Sequence, residues 1–189
     1  MNIIWHGHSC FEITGKDGTI VFDPYQANSV PGLNSLKLKA NLVLCSHEHD
    51  DHNARNCVEV APKDFKVTCI ETYHDHHQGS HRGKNTIHIV DFEDLKVVHM
   101  GDIGCMMDDV SKLKNCDVLM IPIGGYYTID TKEALKYIER IQPRIVIPMH
   151  YRSHEFGYDV LSTNEEFIQK SSNIVYVDDY LEVHKETKG

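Results

Sequence analysis

Residues 47 to 52 read His47-Glu48-His49-Asp50-Asp51-His52, three imidazoles and three carboxylates in six positions. So many donors in one short run are costly to place for packing alone, and they suit a bound cation. In an extended segment His47 and His49 point the same way, because side chains alternate with period two. They can then grip one metal. A turn after them aims Asp51 and His52 at a second. The chain holds 14 histidines among 189 residues, and their clustering favours a metal site over coincidence.

The elements that must carry these donors follow from the apolar pattern. Asn41 to Ser46 is a short apolar run that reads as a buried strand delivering the histidines. Upstream, residues 3 to 13 read as one strand, Gly15-Lys16-Asp17-Gly18 as a hairpin turn and 19 to 22 as the return strand, with a loop over 25 to 40. Downstream, a short helix is expected over 54 to 61 and a strand over 66 to 70. A polar loop from Tyr73 to Asn85 follows, holding His74, His76, His77 and His81. Strands at 86–92 and 95–99 lead to Gly101-Asp102. A helix is expected over 106–114 and a strand over 118–121. Next comes a helix opened by Asp130 with Glu133 as its capping-box partner, its apolar face carrying Ala134, Leu135, Ile138 and Ile141. A strand over 144–147 ends at His150, and a helix over 163–171 with strands near 174–177 and 180–184 closes the chain. Sites just past strand ends sit on rigid supports, and His47 to His52, His74, Asp102 and His150 all fall there.

Length and composition suit a single domain over residues 1–189. A net charge of −9 argues against unspecific nucleic-acid binding, although an anionic small molecule remains compatible with a cationic centre. No apolar run approaches the roughly 18 residues that span a bilayer. No signal peptide is visible, and the six cysteines form no C-x-x-C pair. The expectation is a cytoplasmic protein with reduced thiols and no membrane partner. Its oligomeric state is not readable.

Two divalent ions need about six to eight protein donors. His47, His49 and His74 can serve one ion, and Asp51, His52 and His150 the other, with Asp102 bridging both. This nitrogen and oxygen set without thiolate fits zinc, manganese, iron or cobalt and does not choose among them; two zinc ions are the leading expectation, with manganese or iron as alternatives. Two metals about 3.5–4 Å apart hold a hydroxide between them at neutral pH, so Asp51 is the expected catalytic residue, binding metal and orienting the nucleophile.

The order H-x-H-x-D-H, a lone histidine, Gly-Asp after a strand and a late histidine resembles the metallo-β-lactamase superfamily, from residue 3 to about residue 152. The resemblance implies an α/β fold: a four-layer αββα sandwich of two mixed sheets with helices outside, the dinuclear site along one edge. Trp5-His6-Gly7-His8-Ser9 and Phe22-Asp23-Pro24 resemble the branch containing ascorbate-6-phosphate lactonase and N-acyl-phosphatidylethanolamine phospholipase D. His74-Asp75, Arg82-Gly83-Lys84-Asn85, Pro122-Ile123-Gly124-Gly125 and Pro148-Met149-His150-Tyr151 look like its small prokaryotic members. The best known β-lactamases place a cysteine where Asp102 stands, so antibiotic hydrolysis is not expected. The implied activity is hydrolysis of an ester-like bond, a phosphodiester or a lactone, in a small molecule. In that branch the Asp of the D-P pair reaches the metals, so Asp23, with His8, is expected to touch them or to hold their ligands. Arg82, Asn85, Tyr126 and Tyr151 are the candidate substrate contacts. Two rival classes remain: a di-iron redox protein of the same fold, and a non-catalytic metal-binding or ligand-sensing module.

Overall fold

Period-two alternation of apolar side chains sorts the strands into two sheets and a ribbon. The computed structural model describes residues 1–178 and 180–187. In chain order its strands are β1 (Asn2–Gly7), β2 (Cys10–Gly15), β3 (Gly18–Phe22), β4 (Leu38–Ala40), β5 (Leu42–Leu44) and β6 (Val58–Val60). Then come β7 (Lys66–Tyr73), β8 (Lys84–Phe92), β9 (Leu95–His99), β10 (Val118–Pro122), β11 (Ile145–Met149) and β12 (Leu181–Glu182). Two helices, α1 (Thr131–Ile141) and α2 (Glu165–Lys170), complete the set. One sheet runs β12-β1-β2-β3-β5 and the other β11-β10-β9-β8-β7, while β4 and β6 form a two-stranded ribbon.

The core lies between the two sheets. Phe11, Ile13, Ile20 and Phe22 of the first sheet meet Val90, Phe92, Val97, Val118 and Met120 of the second. Intervening residues face outward into two further apolar layers. Cys10 and Val21 pack under the ribbon and the loop after β3, with Tyr25, Val30, Ala40 and Val58. Ile87, Ile89, Val98, Leu119 and Ile121 pack under the helices, against Ala134, Tyr137, Ile141 and Phe167. All five residues of β10 are buried, as suits a strand covered on both faces. The α/β sandwich is therefore present, and both helices lie on the outer face of the second sheet.

Helix α1 forms as expected. Asp130 accepts from the Glu133 amide at 2.9 Å, and the Asp130 amide donates to Glu133 at 3.2 Å, closing the capping box. Other expectations fail for local reasons. The strand over 3–13 breaks into a hairpin, because Gly7 and His8 both take positive φ, 103° and 52°. Residues 54–61 give only a single turn of 3-10 helix and β6. Val58 and Val60 favour a ladder with β4, and Pro62 disfavours helix in the residue before it. Residues 106–114 form no α-helix, since α1 takes their backbone groups. The Met107 amide donates to the Tyr137 hydroxyl, and Arg140 donates to the carbonyls of Met107 and Asp108. Asp109 closes a turn on Ser111 instead. Residues 174–177 make no strand, and Val175 and Tyr176 are exposed.

Strand direction then decides where loops emerge. β1 and β3 both pair antiparallel with β2, and β5 runs parallel to β3. β9, β10 and β11 are parallel, and β7 shares their direction through antiparallel β8. The C-terminal ends of β1, β3 and β5 thus lie on one edge of the first sheet, and those of β7, β9 and β11 on one edge of the second. The His150 amide bonds the His8 carbonyl at 3.1 Å and the Thr86 amide bonds the Ser46 carbonyl at 2.8 Å, tying the two edges together.

Candidate metal centre

Each donor lies in the segment that follows one of these strands: His8 after β1, His47 to His52 after β5, His74 after β7, Asp102 after β9 and His150 after β11. The donor run is not extended. Residues 46–52 form bends and a turn closed by the His52 amide on the His49 carbonyl at 2.9 Å. Alternation is therefore not what brings His47 and His49 together, although their rings do stand 4.5 Å apart. Ligand atoms of His47, His49 and His74 cluster within 4.8 Å of one another, as do those of His8, Asp51, His52 and His150.

Asp102 stands where the two groups meet. Its Oδ2 lies 3.0 Å from His150 Nε2, 3.2 Å from His52, 3.3 Å from His74 and 4.0 Å from His47. Burial opposes charge on Asp102, yet the His150 and His52 imidazoles hold its carboxyl well below the usual range. His52 is pushed the other way: burial disfavours its protonation, but Asp102 and Asp23 raise it well above an ordinary histidine. His47 falls to about 3 through burial and the neighbouring His52. His47 Nε2, His52 Nε2 and Asp102 Oδ1 are buried without a hydrogen-bond partner. Buried, unsatisfied and convergent donors of this type fit divalent cations.

Asp23 stands behind the donors rather than among them. Its Oδ1 accepts the Ser46 amide at 2.6 Å, and its Oδ2 accepts the Ser46 hydroxyl at 2.6 Å and faces His52 Nδ1 at 2.8 Å. Ser46 Oγ in turn lies 2.9 Å from His47 Nδ1. One buried carboxylate thus orients a histidine of each group, directly and through a hydroxyl, leaving both Nε2 atoms aimed at Asp102. Burial opposes its ionisation, but His99, His52 and His47 keep its carboxyl below the usual range.

His8, by contrast, enters the centre. Its Nε2 is 3.2 Å from Asp51 Oδ2. Burial and nearby His150 lower it to about 4, so it is neutral and can donate to that carboxylate. Tyr158, which the sequence did not single out, brings its hydroxyl to 3.2 Å from the same oxygen and donates to the Ser29 carbonyl at 2.7 Å. It lies 107 positions from Asp51, and no local pattern marks it.

The expected substrate contacts divide. Asn85 is turned inward: it is fully buried, its Oδ1 accepts the Asp102 amide at 2.8 Å, and its Nδ2 donates to Thr72 and the Met100 carbonyl. It holds the Asp102 loop. Tyr151 packs into an aromatic cluster, 5.5 Å from Trp5 and 6.0 Å from Phe156. Arg82 and Tyr126 do meet, guanidinium over ring at 5.9 Å. His76, His77 and His81 stay exposed.

His8, Asp23 and His150 share positive φ, rare outside glycine and a mark of functional sites. Gly124 permits the last of these, because a Cβ there would stand 2.0 Å from the His150 carbonyl oxygen. Gly124→Ala is expected to cost about 1–3 kcal/mol by overpacking and to weaken metal binding by moving His150. Denaturant unfolding and a metal titration check this.

A family model described as a β-lactamase superfamily domain matches residues 2–150. The chain belongs to the β-lactamase superfamily. A metal-dependent hydrolase of Staphylothermus marinus is 30% identical over 194 residues, covering 78% of this chain and 82% of its own. Another from Thermoplasma acidophilum is 28% identical over 193 residues, covering 82% and 85%. A solved Thermotoga maritima protein, described as a candidate Zn-dependent hydrolase of the metallo-β-lactamase superfamily, superposes with a TM-score of 0.77 at 26% identity, over 98% of this chain and 93% of its own. This superfamily member is a metal-dependent hydrolase. Among its described residues no helix is long and apolar enough to cross a membrane.

Proposed function

We propose that the protein is a single-domain dinuclear hydrolase that cleaves an ester-like bond, a phosphodiester or lactone, in a small molecule. The observation that carries this reading is Asp102, whose one oxygen approaches histidines of both donor groups. His47, His49 and His74 would hold one ion, Asp51, His52 and His150 the other, with Asp102 between them. Bound divalent ions supply Lewis acidity and bring the pKa of water toward neutrality. Zinc leads as the metal, and manganese and iron suit the same donors. Asp51 is held ionised: burial opposes its charge, but His52 and His8 lower its carboxyl below the usual range. It can therefore bind and orient rather than store a proton. Held neutral by burial and His150, His8 carries no imidazolium proton to give a leaving group. Its part is to fix Asp51. All six cysteines are free thiols, which suits a reducing cytoplasm.

The test is a metal-defined activity screen over phosphodiesters, lactones, thioesters and amides. Chelation is expected to abolish turnover, and restoration is expected to need two ions per chain. Metal at about a hundred times its dissociation constant should stabilise the fold by about 2.7 kcal/mol. Saturation at one ion, or turnover confined to amides, would overturn the reading.

A further inference from the structure

Among the described residues, four of the five arginines spend their guanidinium groups on protein acceptors. Arg55 pairs with Glu48, Arg140 with carbonyls of Met107 and Asp108, Arg144 with Asp117 and Arg152 with the Leu161 carbonyl. Arg82 is the exception. Its guanidinium lies 5.3 Å from the ring centre of Tyr127 and 5.9 Å from that of Tyr126. An arginine on aromatic faces keeps its planar fork of N–H donors for a partner, and that fork matches a carboxylate or phosphate.

Both sides of this stack are built in place. The Arg82 amide donates to Asp75 Oδ2 at 2.7 Å, and Asp75 also gathers the amides of His77, Gly79 and His81. One carboxylate thus closes the loop that carries Arg82. On the other side Gly125 and Tyr126 take successive positive φ values of 65° and 54°, a conformation uncommon for a bulky residue. The ring of Tyr126 is left largely exposed.

The stack also leads to the centre. Tyr127 meets Tyr158 edge to face at 5.9 Å, and the Tyr158 hydroxyl is 3.2 Å from Asp51 Oδ2. Arg82 therefore stands two aromatic rings from the donors, in a chain whose net charge of −9 otherwise repels anions.

We propose that Arg82, backed by Tyr126 and Tyr127, receives an acidic group, carboxylate or phosphate, carried by the substrate at the end remote from the bond that is cleaved. This rests on the reading of the centre as an ester hydrolase, and two measurements separate the two claims. The first compares para-nitrophenyl pentanoate with the mono-para-nitrophenyl ester of glutarate on the metal-loaded protein. The acidic ester is expected to lead by about tenfold or more in kcat/KM, the fold-change of one charge-assisted hydrogen bond. Arg82→Gln should collapse that ratio while metal content stays the same. The second titrates hexanoate, hexyl phosphate and hexanol into the metal-loaded protein by calorimetry. At least one acid should bind about tenfold tighter than the alcohol, and Arg82→Gln should remove that advantage. The tighter acid names the group. If neither ester is cleaved, only carboxylic esters are removed from the hydrolase reading, and the calorimetry still decides the subsite. Acids that bind the wild type no better than hexanol, or that bind Arg82→Gln equally well, would overturn the proposal.

Discussion

Asp51→Ala is expected to leave a folded protein that has lost one of its bound metals and at least about a hundredfold of its activity, more than the 10–100-fold typical of groups that merely hold a ligand in place. The Asp51 oxygen Oδ2 collects three groups: His8 Nε2 at 3.2 Å, the Tyr158 hydroxyl at 3.2 Å and His52 Nε2 at 3.7 Å. None of these contacts belongs to the apolar layers that hold the sheets together. The fold should therefore survive, and circular dichroism checks that it does. His49→Ala asks the same of the other donor group. His49 is exposed, its ring 5.2 Å from that of His74, so packing loses little. Elemental analysis of both purified variants reads the result, and unchanged metal in both would remove the site assignment.

Asp23→Ala is expected to act on stability as well as on metal. It deletes a fully buried carboxylate that satisfies the Ser46 amide, the Ser46 hydroxyl and His52 Nδ1 at once. Removing one partner of a buried pair commonly costs about 3–5 kcal/mol. Freed rotation of His52 and His47 should add a loss of about 10–100-fold in metal affinity. Asp23→Asn keeps the size and one acceptor but not the charge, so it should fold more readily than Asp23→Ala and still bind metal more weakly than the wild type. Urea unfolding of the metal-free proteins and metal titration of the loaded ones separate the two effects. An Asp23→Asn protein that binds metal as tightly as the wild type would show that the carboxylate charge does not position His52.

What was legible in the sequence was what short-range pattern encodes. The donor run, the capped helix α1 and most strands follow from spacing and alternation, because those interactions join residues a few positions apart. The misread stretches follow from the same limit. Residues 106–114 carry helix-like spacing, but Tyr137 and Arg140, some 30 positions away, take the backbone groups that a helix would need. The break at Gly7 and His8 hides in an apolar run that reads as continuous, and a histidine at positive φ is too rare to expect from its letter.

By itself the sequence determined the family and the kinds of donor present, since residue type and local order are enough for both. Tertiary structure decided who stands beside whom. Only the tied edges of two sheets bring Asp102 to four histidines, set Asp23 behind His52 rather than among the donors, turn Asn85 inward to hold the Asp102 loop, and deliver Tyr158 to Asp51. Each of these contacts spans at least 17 positions of chain. Contacts of that span depend on strand order and direction, which the packing of the whole core selects and no short stretch of residues records.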